Sequence, residues 1–223
     1  MKNVVNLLII ALSFSTLAFS QQFELLADKV IDKDIEGIQN LLNQEIDINV
    51  KQLTTGATVL MLASSYYDYN DMVEYLILNG ADVNVSDDNG KTPLIWAASN
   101  SLESSKLLIS KGADVNAKAN DGMTPFLQSV FGVLSGKIPL TICDLFRENG
   151  ANINATLTGN NADGWSAIHY AVMEGDTELV QYLILYGANV NKATAEGSTP
   201  LFLAKMEGYV EIEKILRRAG AKN

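Results

Sequence analysis

Gly80-Ala81-Asp82-Val83-Asn84 decides the fold, because the chain repeats it. It returns as Gly112-Ala113-Asp114-Val115-Asn116, Gly150-Ala151-Asn152-Ile153-Asn154 and Gly187-Ala188-Asn189-Val190-Asn191, and begins again at Gly220-Ala221. Between these turns stand Gly90-Lys91-Thr92-Pro93-Leu94, Gly122-Met123-Thr124-Pro125-Phe126 and Gly197-Ser198-Thr199-Pro200-Leu201. Gly56-Ala57-Thr58-Val59-Leu60 and Gly164-Trp165-Ser166-Ala167-Ile168 keep the same slot with altered residues. A phrase returning about every 33 residues is the mark of a solenoid built from one supersecondary unit.

The local chemistry says what the unit is. A Thr hydroxyl accepts an orphan backbone N–H at a helix start, and Pro at the first helical position gives up a donor that had no partner. Leu94, Ala97 and Ala98 then place small and apolar groups on one side of a first helix. Leu102 to Ile109 reads as a second, more apolar helix. Lys111-Gly112 closes it with a cation near the negative end of the dipole and a Gly for a left-handed cap. Asp114-Val115-Asn116 leads through an extended turn to the next helix opening. Each unit is a helix–turn–helix with a projecting turn.

This pattern closely resembles the ankyrin repeat family, over essentially all of the chain after its N-terminal leader. The Thr-Pro-Leu opening coupled to a Gly-Ala-x-Val-Asn turn about 21 residues later carries the resemblance. Ile168-His169-Tyr170-Ala171 keeps the family's His, and Met61, Ile95, Leu127 and Phe202 stand in that slot elsewhere. The resemblance implies an all-α solenoid of stacked helix–turn–helix units with projecting β-turn or hairpin loops, binding partners through its concave face.

The expected units are 53–87, 88–119, 120–160, 161–193 and 194–223. Residues 21–52 read as a degenerate N-terminal capping repeat, in which Leu25, Leu26 and Val30, then Ile35, Ile38, Leu41 and Leu42, have helical spacing. There Ile46-Asp47-Ile48-Asn49 echoes the turn without its Gly-Ala. Terminal units of a solenoid face water on one side, so atypical ends are expected. Glu211, Glu213, Lys214, Arg217 and Arg218 charge the final helix accordingly. From Thr124 to Gly150 is 26 residues, against 21 from Thr199 to Gly220, and the excess falls in 132–139, where Pro139 is predicted to open the second helix. A second excess, Thr156 to Asn161, reads as a longer turn.

Residues 1–20 read as a secretory signal peptide. Lys2 precedes an apolar run from Val4 to Leu17, and Ala18-Phe19-Ser20 supplies small residues for cleavage before Gln21. The run is shorter than the roughly 20 residues of a spanning helix. The expected product is an exported protein, periplasmic or secreted, with no stable membrane insertion after cleavage. It would be held by packing, because its one cysteine, Cys143, has no second with which to form an internal bridge. Cys143 falls at a core position of a second helix.

Among 223 residues, 16 Lys and Arg face 26 Asp and Glu, a net charge of -10 and a pI of about 4.5. That balance argues against nucleic acid, whose phosphates need a basic footprint. His169 is the one His, so a Ser-His-Asp triad or a Cys-His pair would have to use it. Its slot in the resembled family is structural, orienting hydrogen bonds between units. One His and one Cys make no transition-metal set. Asp82 to Asp88 begins like a calcium loop, but the required Gly and acid are replaced by Asp87 and Pro93. No cofactor is expected. Asn84-Val85-Ser86 and Asn154-Ala155-Thr156 match the N-glycosylation triplet through the repeat's own turn Asn.

The expected function is a non-enzymatic, monomeric scaffold recognising a protein partner through its concave face and turn tips. Mapped from the resemblance, the tips offer Asn89, Lys91, Met123 and Trp165, and the helix ends offer Tyr66, Tyr67, Tyr69, Asn100, Phe131, Met173, Glu174, Met206 and Glu207. Three Tyr within 66–69 cannot all face a helix core, and a Trp at a turn tip has little to bury against. Aromatic and Met side chains ringed by acids suit an interface. Accessory roles in envelope stress defence or toxin neutralisation are alternatives, as is a small-molecule or enzymatic site at 132–139.

Overall fold

The computed structural model describes residues 19–159 and 162–222, so most of the leader, residues 1–18, lies outside the described residues. Among the described residues, twelve helices follow one another in pairs. They are α1 (19–31), α2 (Ile35–Asn43), α3 (Val59–Ser64), α4 (Asn70–Leu78), α5 (Pro93–Ala97), α6 (Leu102–Ser110), α7 (Pro125–Leu134), α8 (Thr141–Glu148), α9 (Ala167–Met173), α10 (Thr177–Leu185), α11 (Pro200–Met206) and α12 (Val210–Arg218). The only β pairing among the described residues is one antiparallel bridge, Thr156 with Ser166. First helices α3, α5, α7, α9 and α11 pack in chain order, each also against its own second helix. One continuous core of buried side chains runs from Phe23 to Leu216.

Each residue of the repeated turn does a separate job. Gly80, Gly112, Gly150, Gly187 and Gly220 all have φ between 82° and 94°, the left-handed cap that ends a helix. The following Ala N–H closes the cap, as in Ala81 N–H to Leu76 O at 3.0 Å and Ala188 N–H to Leu183 O at 2.8 Å. The third residue turns the chain, its side-chain oxygen accepting the N–H of the Asn two residues on: Asp82 to Asn84 at 2.8 Å, Asn189 to Asn191 at 3.0 Å.

That Asn then reaches into the next unit. Asn84 Nδ2 donates to Gly112 O at 2.9 Å while its Oδ1 accepts from Asp114 N at 2.9 Å. Asn116 does the same to Gly150 O and Asn152 N, Asn154 to Gly187 O and Asn189 N, and Asn191 to Gly220 O and Lys222 N, all at 2.7–3.0 Å. The N-terminal echo joins them: Asn49 binds Gly80 O at 3.1 Å and Asp82 N at 2.8 Å. Five asparagines form one ladder along the stack. Both amide atoms of Asn84 and Asn154 are thereby engaged, so a glycan on either triplet would break a rung.

Helix starts follow the sequence with two exceptions. Thr58, Thr124 and Thr199 hydroxyls accept the N–H of the third helical residue, and Pro93, Pro125 and Pro200 each open a helix. Thr92 does not cap: its buried Oγ1 has no partner, and Pro93 alone marks the start of the five-residue α5. Pro139 does not open α8 either, since that helix begins at Thr141, after a turn from Pro139 O to Ile142 N. Part of the 132–139 excess is an added turn of α7, which runs ten residues. At the N-terminus, Leu26, Val30 and Ile38 are buried, but Leu25 and Ile35 are exposed, and Phe23 and Ala27 complete the buried side of α1.

The capping unit lacks glycines where the others use them. Glu45 occupies the cap slot with φ 64°, and Lys33 holds a left-handed turn between α1 and α2 with φ 55°. The left-handed conformation costs a side-chain-bearing residue about 1–2 kcal/mol. Glu45→Gly is therefore expected to stabilise the protein by about 1 kcal/mol, read as a higher denaturation midpoint at unchanged slope. Asn116→Ala removes both bonds of a central rung and should destabilise by about 2 kcal/mol. Asn116→Asp should also destabilise the protein, because a carboxylate cannot donate to Gly150 O; an unchanged midpoint in either Asn116 variant would show that the ladder contributes nothing.

Candidate protein-binding face

Four residues after the Thr or Ser at each N-cap position, a first helix presents a side chain on one common side: Leu62, Trp96, Gln128, Tyr170 and Leu203. The first four are half-buried and Leu203 is buried. Trp96 Nε1 donates to Asp87 Oδ2 at 3.2 Å, and Gln128 Nε2 donates to Ser99 Oγ at 2.9 Å. Asp87 itself is buried, and its Oδ1 accepts from Asn89 N and Lys91 N at 2.9 and 2.8 Å, so it organises the hairpin. Leu62 and Trp96 line a shallow groove that Phe23, Ala27 and Ile31 complete from α1.

The densest part of this side is aromatic. Phe131 meets Tyr170 edge-on at 4.6 Å, and Trp165 lies at 5.0 Å from Tyr170 and 5.7 Å from His169. Trp165 is thus half-buried, contrary to the expectation that a tip Trp has little to bury against. The longer loop before it supplies the reason: Leu157 N donates to Trp165 O and Gly164 N to Leu157 O, folding the hairpin back with Leu157 buried. Burial, with Asp121 nearby, raises the Tyr170 phenol above its ordinary pKa. Tyr170, Trp96 and Gln128 escaped the sequence reading, although counting four from the cap would have found them.

The sequence candidates divide accordingly. Tyr67 is 77% exposed, Met206 65% and Tyr66 39%, and Asn89, Glu174 and Glu207 are exposed as well. Lys91, Asn100, Phe131 and Met173 are half-buried. Asn100 is tied down, its Nδ2 donating to Trp96 O at 2.9 Å. Met123 is the correction: only 9% exposed, it joins the core instead of projecting from the tip. A Met ahead of the capping Thr can fold its apolar stem inward, because the backbone turn already supplies the tip.

Tyr66 and Tyr67 lie beyond the end of α3 at Ser64, in the turn to α4, and Tyr69 is the N-cap residue of α4. Tyr69 is committed to packing. Its hydroxyl donates to Ile31 O at 2.7 Å, Tyr66 stacks on it at 4.7 Å, and Lys33 Nζ sits 4.3 Å over its ring while pairing with Asp68 at 3.0 Å. On the second-helix side, Tyr182 donates to Asp144 Oδ1 at 2.9 Å and the Arg147 guanidinium lies 4.2 Å over Tyr186. Those two tyrosines pack against their neighbours.

The groups that could suggest catalysis are built into the scaffold. His169 is fully buried; its Nδ1 accepts from Ser166 N–H at 3.2 Å and lies 2.9 Å from Ser166 Oγ. A backbone N–H can only donate, so the ring proton sits on Nε2, which donates to Lys192 O at 3.0 Å across to the next hairpin. Burial lowers the His169 pKa. Burial also pushes the Cys143 thiol up to about 12, against Ser129 Oγ at 3.8 Å, the signature of an inert core residue. The 132–139 segment closes on itself: Ile138 is buried against Gly132, where a Cβ would come within 2.8 Å of Ser99 Cα.

Comparison with known proteins matches this geometry. The family described as ankyrin repeats (3 copies) matches residues 26–119 and 133–223. Ankyrin repeat protein YahD of Escherichia coli K12 is 30% identical over 193 residues, 84% of this chain and 92% of that protein. The potassium channel AKT1 of Arabidopsis thaliana is 33% identical over 66% of this chain and 20% of that protein. The NF-kappa-B p105 subunit of Gallus gallus is 28% identical over 68% of this chain and 15% of that protein.

His169 gives this side a pH signature. Its folded pKa is lowered, so the unfolded chain binds the proton more readily, and stability falls as pH drops below the unfolded value of about 6.5. His169→Gln should lower stability at neutral pH and flatten the slope of unfolding free energy between that value and the lower folded pKa. Parallel slopes in both proteins would show that His169 carries no such linkage.

Proposed function

The chain belongs to the ankyrin repeat family, a protein–protein interaction scaffold that is typically non-enzymatic, and from that premise we propose that it recognises a protein partner through the first-helix face and the hairpin tips. The observation that supports this most is the half-exposed Phe131–Tyr170–Trp165 cluster. Helix and hairpin meet there, giving rigid aromatic surface of the kind that anchors interfaces. Tyr66, Tyr67, Asn89, Lys91, Asn100, Met173, Glu174, Met206 and Glu207 form the rim in this reading, and Tyr170 and Trp96 join the centre. The units at 53–87, 88–119, 120–160, 161–193 and 194–223, with the capping unit at 21–52, are the division we adopt.

The same proposal places the protein outside the cytoplasm. The apolar run Val4 to Leu17, followed by Ala18-Phe19-Ser20, is the support, together with the first buried side chain of α1 being Phe23. Cleavage before Gln21 leaves that helix's core residues in place. No helix among the described residues is long and apolar enough to cross a membrane. Mass spectrometry of the protein isolated from its native cells should find Gln21 as the first residue, and a retained Met1 would remove the export reading.

Binding is tested with the mature chain as bait in its native envelope extract, and with any recovered partner titrated afterwards. Tyr170→Ala is expected to weaken that partner by about 30-fold, corresponding to about 2 kcal/mol for a central aromatic anchor. Leu185→Ala, on exposed second-helix surface, should leave affinity unchanged. Equal effects from both, with helical content preserved, would move the interface away from the first-helix face.

A further inference from the structure

We propose that Asn89 is a site of spontaneous deamidation, which converts a neutral hairpin tip into an acidic one. The described residues contain three Asn-Gly steps: Asn79-Gly80, Asn89-Gly90 and Asn149-Gly150. In such a step the following residue has no Cβ to shield its nitrogen from the Asn side-chain carbon. Sequence alone ranks the three equally. The structure separates them.

Asn79 and Asn149 cap helices. Their Nδ2 groups donate to Tyr75 O and Leu145 O, both at 2.8 Å, which holds each amide along its helix. Gly80 N and Gly150 N donate to Ile77 O and Arg147 O, and the next residue's N–H closes each cap again. Reaction at either site must undo a helix end. Asn89 is exposed, and its side-chain amide makes no hydrogen bond among the described residues. Gly90 N–H makes a single turn bond, to Asp87 O at 2.9 Å; that bond and the one from Asn120 N to the Asn89 carbonyl of the same peptide unit, also 2.9 Å, must open for the nitrogen to turn, and neither lies in a helix.

In the reaction Gly90 N loses its proton to water or hydroxide and bonds to Asn89 Cγ. The Cγ–Nδ2 bond breaks, and that nitrogen leaves as ammonia. Water then opens the succinimide at either carbonyl, giving Asp or isoaspartate. The fold already accommodates the first product, because the residues preceding Gly122, Gly164 and Gly197 are Asp121, Asp163 and Glu196. The second reroutes the main chain through the former side chain and displaces Asn89 O, which accepts from Asn120 N at 2.9 Å and ties this tip to the next. The chemistry stands independently of the binding proposal; only its effect on a partner rests on that reading.

The test is peptide mapping of the full chain, sampled during incubation at mildly alkaline pH, with a parallel sample in strong denaturant. Unfolded, the three steps should convert at similar rates. Folded, the amide-to-acid mass gain should accumulate at Asn89 several-fold faster than at Asn79 or Asn149, with ammonia released and both isomers present. Asn89→Gln should abolish the gain at that peptide, and Asn89→Asp should keep the wild-type denaturation midpoint. A folded protein in which Asn89 stays intact, or in which Asn79 or Asn149 keeps pace with it, overturns the proposal.

Discussion

Everything in this protein hangs from a bidentate amide. Each ladder Asn donates to the Gly carbonyl and accepts from the third-residue N–H of the unit after it, so one side chain satisfies two backbone groups that the turn would otherwise leave open. No other short side chain offers a donor and an acceptor in that arrangement. The Gly is needed for the left-handed cap, and the third residue is needed to aim the Asn by holding its N–H. The turn phrase is thus one device with interdependent parts.

The ladder also explains where length can vary. Successive rungs Asn84, Asn116, Asn154 and Asn191 are unevenly spaced in sequence, yet their bonds all fall between 2.7 and 3.0 Å. The excess is absorbed away from the rungs, partly as an added turn of α7 and partly as the folded-back hairpin at 156–166. Both excesses then shape the proposed binding side. The longer α7 carries Phe131, and the hairpin places Trp165, so that both meet on Tyr170.

Electrostatics plays a secondary part. The ion pairs lie at the surface, where solvent screening leaves each little net effect on stability. Buried His169 and Cys143 are held in their neutral forms by desolvation, which suits a scaffold that keeps one shape.

Much of the fold was legible because its information is local. Gly before Ala, Thr before Pro and Asx before Asn each act within a few residues, so their recurrence could be read directly, and the echo at Asp47-Ile48-Asn49 announced a sixth turn. The binding side was legible only in part. Phe131 and Trp165 stood out by type, but Met123 and Tyr69 carry the same apolar or aromatic character and turn inward. Which way such a side chain faces depends on what the neighbouring unit brings: Ile31 O and Lys33 for Tyr69, the shared core for Met123. The sequence by itself determined the repeat, its caps and its ladder, since those are contacts of fixed spacing. Only the tertiary structure decided which aromatic groups stay open to a partner, because exposure is set by the packing of residues distant in the chain.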